Sequence, residues 1–124
     1  MTRKARRQSW RRGWLAESVC ALSLRCRGYR VLARRQRSPV GEIDIIARRG
    51  GVLAIIEVKA RPSVNEAAHA VTKRQRNRLV RAASLFVAQR PALATLAMRF
   101  DVMAVTAPWR PPRHLTDAWR PDAD

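Results

Sequence analysis

Acidic residues are scarce in this chain: nine Asp and Glu stand against 26 Lys and Arg among 124 residues, leaving a formal charge of +17. Such an excess destabilises the compact state by self-repulsion unless a polyanion compensates it. Nucleic acid is the partner this favours, because each Lys or Arg set on a phosphate releases a condensed counterion. An anionic membrane surface is the rival, and an Arg-rich composition that implies no partner is the bland alternative. Long apolar runs are also lacking. None approaches the ~20 residues of a membrane span, and no apolar signal segment follows the basic N-terminus. A transit peptide fits the composition, but the domain pattern already starts near Gly13. Cysteine is nearly absent. Cys20 and Cys26 match neither a metal-ligand spacing nor a disulfide framework. On one helix their separation turns them by roughly 600°, to different sides; they read as buried thiols of a reducing compartment. The hydrophobic share, 47%, suffices for a core, and the length suits one domain.

Residues 1–12 read as a basic arm, mobile until something binds it. Trp10 and Trp14 bracket its last Arg pair, where aromatic and cationic side chains together suit bases and phosphates; Trp14 packing on the first helix is the plainer reading. Residues 14–27 predict a helix, with Leu15, Val19, Leu22 and Cys26 on the 3.6-residue period. Gly28 stands where a helix end needs positive φ. Tyr29, Val31 and Leu32 suggest a short strand, and residues 36–40 a loop. Two β-rich runs follow, 42–48 and 52–60, and Gly50-Gly51 between them signals a two-residue hairpin. Residues 61–71 are irregular or a short turn of helix. Thr72 opens a helix to about Gln89, with Gln75 at capping-box spacing and Pro91 as its stop. Residues 98–106 alternate like a strand, and 107–124 read as a Pro-rich irregular tail. The domain is thus 13–106.

Chemistry concentrates in the hairpin. Glu57 and Lys59 share a strand face, as do Glu42 and Asp44. With Gly50 and Gly51 as turn residues, Arg49 pairs with Val52, which sets Asp44 opposite Glu57 and Glu42 opposite Lys59. Opposed Cβ atoms lie about 4.5–5.5 Å apart. Two carboxylates at that distance can grip one divalent cation; without it they repel and one pKa rises. A structural ion-pair network with Lys59 and nearby arginines is the alternative. Hard carboxylate oxygens suit Mg²⁺ or Mn²⁺, and an adjacent Lys can position a water and offset phosphate charge.

The segments GEIDIIA, IIEVKAR and MRFDVMAV, with the helix that holds Lys73, resemble the bacterial family UPF0102, or YraN, over about residues 13–106. The resemblance implies an α/β, restriction-endonuclease-like fold, a mixed central β-sheet flanked by helices, in the superfamily that includes archaeal Holliday-junction resolvases. It also implies a PD-(D/E)XK-type active site, here Asp44, Glu57 and Lys59, with Ile43 in place of the usual proline. Glu17 matches the acidic residue of the first helix; an exposed glutamate paired with an arginine is its other reading. The activity implied is Mg²⁺- or Mn²⁺-dependent endonucleolytic cleavage of DNA, branched DNA included, in the cytoplasm of a bacterium. A nucleic-acid-binding module that keeps the fold without cutting is the alternative, and homodimerisation is left open. Arg48, Arg49, Arg61, Lys73, Arg74, Gln75 and Arg76 are the expected nucleic-acid contacts, although a solvated basic rim, and for Gln75 a capping box, would account for them too. His69 and His114 receive no role.

Overall fold

A computed structural model describes residues 3–121, and side chains from residue 15 onward. Its architecture is α/β. The elements run α1 (Arg3–Cys26), β1 (Arg30–Ser38), β2 (Gly41–Arg49), β3 (Val52–Ala60), α2 (Val64–Ala68), α3 (Lys73–Ala88), a 3₁₀ turn at Pro91–Leu93, β4 (Ala97–Val105) and β5 (Arg113–Trp119). The five strands form one sheet in sequence order. β3 and β4 pair in parallel across the helical crossover, and every other pair is antiparallel. The sheet is therefore mixed and flanked by helices, consistent with a restriction-endonuclease-like fold.

Each element has a local cause. α1 ends in a Schellman motif: the Tyr29 amide donates to the Leu24 carbonyl and the Gly28 amide to that of Arg25. Gly28 supplies the φ of 87° this requires. Thr72 caps α3, its hydroxyl accepting from the Gln75 amide at 3.1 Å. At the Gly50-Gly51 turn, Arg49 pairs with Val52, and the ladder continues to Ile45 opposite Ile56. Two apolar layers hold the helices to the sheet. Leu79, Ala83 and Phe86 of α3 pack on Ile46, Leu53, Ile55 and Phe100. Cys20, Ala21 and Leu24 of α1 pack on Ile45, Ala47, Ile56 and Met103 on the other face.

The structure corrects several expectations. α1 begins near the N-terminus, so most of the segment read as a mobile arm is helical backbone. Met1 and Thr2, and the side chains of Trp10 and Trp14, lie outside the described residues. β1 extends through the expected loop at 36–38. The tail contains β5, which returns to pair with β4. Cys20 is buried but Cys26 is exposed.

A buried acid pins β5. Asp101 is 1% exposed and accepts from Arg99 Nε at 2.9 Å, Arg99 Nη2 at 2.8 Å and the Asp117 amide at 3.0 Å. His114 Nε2 lies 2.7 Å from it. The other ring nitrogen of His114 is 3.0 Å from Arg27 Nη2. A guanidinium only donates, so Nδ1 accepts and Nε2 carries the proton toward Asp101. Phe100 and Trp119 stack alongside, ring centroids 4.3 Å apart.

Candidate active site

The β2–β3 ladder stops one residue short of Asp44. There the two strands part, and the Asp44 side chain takes over from the backbone: Oδ2 accepts the Val58 amide at 2.8 Å. This places a carboxylate in the gap between strands, where it reaches residues on both faces of the sheet.

On the α3 face stands Glu57, 4% exposed. Its Oε2 accepts from Gln75 Nε2 at 2.5 Å and lies 3.5 Å from Lys59 Nζ. Lys59 in turn donates to Gln75 Oε1 at 3.3 Å. One amide side chain thus orients both the acid and the amine. Burial, then the charge and a hydrogen bond of Asp44, push the Glu57 carboxyl up to about 8, while Lys59 pulls it the other way. Asp44 and Glu57 are close enough to interact, but they are not ladder partners, and the expected single cleft is not formed: the cleft that Asp44 lines includes neither Glu57 nor Lys59. Glu42 is not brought to Lys59; it forms an exposed pair with Arg37 at 3.7 Å.

On the α1 face lies a cleft of about 160 Å³, lined by Glu17, Arg35, Glu42 and Asp44. That is room for several waters at ~30 Å³ each. Glu17 is buried rather than exposed, and its partners are Arg34 Nε at 3.1 Å and Arg35 Nε at 2.7 Å. Behind it, burial first, then the charges of Asp44 and Glu17, push the Cys20 thiol up to about 12, so it stays neutral.

Arg48 and Arg49 sit at the hairpin turn, the far end of β2 from Asp44. Arg48 Nε donates to the Gly50 carbonyl, and Arg49 stacks 4.5 Å above the Tyr29 ring. Arg61, Lys73 and Arg74 are exposed where β3 ends and α3 begins, with Arg76 half-buried one turn on. Arg34, Arg35 and the Asp101–His114 pair belong to no motif recognised in the sequence. Twin arginines are a weak signal among 26 basic residues. The acid inside the apolar alternation of β4 was a stronger one.

Among the described residues, no group of three or more His, Cys, Asp or Glu is arranged to hold a metal ion. A closed zinc site of four such ligands is thereby excluded there. The Asp44–Glu57 pair is a different donor set. Mg²⁺ is commonly held by one or two carboxylates and keeps several waters. Two carboxyls forced together by burial, one retaining its proton, are the arrangement a cation would relieve. The residues present fit such an ion.

Fold and site together define a mixed-sheet α/β protein with two carboxyls and a lysine gathered where two strands part. Residues 16–105 match the model of a family described as uncharacterised protein family UPF0102. A UPF0102 protein of Paramagnetospirillum magneticum is 46% identical over 123 residues, spanning 96% of this chain and 95% of its own. Those of Parvibaculum lavamentivorans and Caulobacter vibrioides are each 50% identical, over 91% and 86% of this chain and 84% and 85% of theirs. The chain belongs to the UPF0102 family. Among the described residues, no helix is long and apolar enough to cross a membrane.

Proposed function

We propose that this protein is a metal-dependent nuclease that hydrolyses phosphodiester bonds in nucleic acid, DNA by preference. The observation that carries this is the buried Glu57 carboxyl against Asp44, with Lys59 Nζ 3.5 Å away and Gln75 bonded to both. A structural ion pair would need only one acid for one amine. Asp44 and Glu57 would hold Mg²⁺ or Mn²⁺, which when bound acidifies a water and offsets charge on the phosphoryl oxygens. Lys59 is placed to orient that water and to meet developing negative charge. Gln75 fixes the amine and the acid relative to each other, so their geometry is set before substrate arrives. The +17 charge supplies attraction to the polyanion. Of the expected contacts, Arg61, Lys73, Arg74 and Arg76 lie at the site's end of the sheet. A module that binds nucleic acid without cutting would use the same basic surface and leave the carboxyl pair without a role.

The test pairs cleavage with binding. Linear, branched and single-stranded DNA and RNA are offered to the wild type with Mg²⁺ or Mn²⁺, alongside Asp44→Asn and Lys59→Ala. Both substitutions should abolish cutting. Without metal, Asp44→Asn should hold or raise nucleic-acid affinity by removing a repelling charge, whereas Lys59→Ala should lower it slightly. Variants that still cut at the parental rate would end the catalytic assignment. A wild type that binds every substrate and cuts none would favour the binding module.

A further inference from the structure

Adjacent residues on a strand point to opposite faces, yet Arg34 and Arg35 both reach Glu17. The cause lies in the backbone of Arg35, whose φ is 48°. Non-glycine residues enter this left-handed region rarely, and hold it only where their surroundings over-determine them. The ladder runs from Arg34 opposite Ile45 to Gln36 opposite Ile43, which brackets Arg35 across from Asp44. The twist therefore delivers a second guanidinium to one buried carboxylate, beside the acid expected to take a cation. Ser18 Oγ shares that edge of Arg34, accepting from Nη2 at 2.8 Å.

The charges around this pair of arginines bear on its role. Without metal, the three basic side chains Arg34, Arg35 and Lys59 face the three acids Glu17, Asp44 and Glu57. A divalent cation on Asp44 and Glu57 would add two positive charges to this group and favour an anion beside it. Guanidinium is suited to phosphate because its planar fork offers several donors at once. Glu17 contacts both arginines through Nε and is itself buried, which makes it a rigid anchor.

We propose that Arg34 and Arg35 clamp a phosphate of the nucleic-acid substrate at the mouth of the cleft, and that Glu17 positions them rather than ligating the cation. This rests on the phosphodiester reading of the site and assigns Glu17 a role different from the one its place in the first helix implied. The arginines contact substrate; Glu17 acts through them.

Four variants test it: Arg34→Ala, Arg35→Gly, Glu17→Gln and, as a control for lost charge outside the cleft, Arg48→Ala. Arg35→Gly relieves the positive φ while Arg34 remains on Glu17, so it is the variant expected to keep the fold, checked by circular dichroism melting. Affinity for a short phosphorothioate duplex DNA is measured by fluorescence anisotropy, without metal and with Mn²⁺. Mn²⁺ binding to the protein alone is measured by electron paramagnetic resonance. Arg34→Ala and Arg35→Gly should each weaken duplex binding about tenfold, the size of one charged hydrogen-bond contact, and Arg48→Ala should weaken it less. Glu17→Gln should weaken duplex binding several-fold and leave Mn²⁺ affinity unchanged. Equal losses for Arg35→Gly and Arg48→Ala would overturn the clamp. Lost Mn²⁺ binding in Glu17→Gln, with duplex affinity raised, would overturn the positioning role and make Glu17 a cation ligand. A wild type that takes up Mn²⁺ but binds no duplex would remove the clamp and the nuclease reading together.

Discussion

Glu57 keeps its proton to about pH 8 because it is buried and because Asp44 stands beside it; Lys59 offsets this only in part. An unburied glutamate titrates at 4.5. Between those values the folded protein holds a proton that the unfolded chain has released. Stability contributed by this group is therefore complete below pH 4.5 and declines as pH rises through about 8. Cation binding has the opposite sense, since a carboxylate must lose its proton to become a ligand. Mn²⁺ affinity should climb steeply from pH 6 to 8 and then level off. A titration flat across that range would contradict a protonated Glu57 ligand. Asp44→Asn should bring the Glu57 titration down, because it removes the neighbouring negative charge. Carbon-13 NMR of the Glu57 carboxyl would record the shift, and an unmoved midpoint would mean that burial alone sets it.

At the scale of elements, β5 depends on one carboxylate. Asp101 gathers Arg99, His114 and the Asp117 amide; burial opposes its charge, but the hydrogen bonds from His114 and Arg99 hold its pKa below the usual value. Asp101→Ala should cost about 3–5 kcal/mol, the penalty for stranding a buried charge partner. Urea unfolding would measure it, and limited proteolysis near residues 107–113 should become faster as β5 detaches. A loss under 1 kcal/mol would mean that the Phe100–Trp119 stack holds the strand unaided. The strand itself was not legible in the sequence. Residues 113–119 carry no clean alternation, and their place at the sheet edge removes the need for one. β1 was cut short for the same reason, since arginines fill an edge strand that lies half in solvent. The hairpin was legible because both its faces are buried and glycines mark its turn: the register anticipated at Arg49–Val52 holds to Ile45–Ile56. What pattern could not supply was the end of that ladder. The parting at Asp44, the φ of Arg35 and the reach of Gln75 from α3 arise from tertiary contacts that leave no period in the chain.

For the whole molecule, charge sets the range over which a polyanion is felt. Arg48 and Arg49 lie four and five residues along β2 from Asp44, roughly 17 Å at about 3.3 Å per residue. A duplex whose axis ran from the cleft toward the turn would span that distance with about five base pairs. The log of the binding constant should fall linearly with log salt, by several units for several phosphate contacts, at roughly 0.9 per contact on duplex. Anisotropy titrations between 50 and 200 mM salt would determine the slope. A flat dependence would remove nucleic acid as the partner of this charge.

The bond from the Val58 amide to Asp44 makes the backbone a witness to events at the site. An amide proton whose nitrogen lies 2.8 Å from a carboxylate oxygen feels that oxygen's electron density directly, so its resonance should lie well downfield. When a cation withdraws density from Asp44, the proton should move upfield and exchange with solvent more quickly. Diamagnetic Mg²⁺ would thus be visible through a single nitrogen-15 correlation peak, without substrate, label or catalysis. A Val58 peak that stays fixed as Mg²⁺ is added, while its neighbours move, would mean that Asp44 is not where the ion sits.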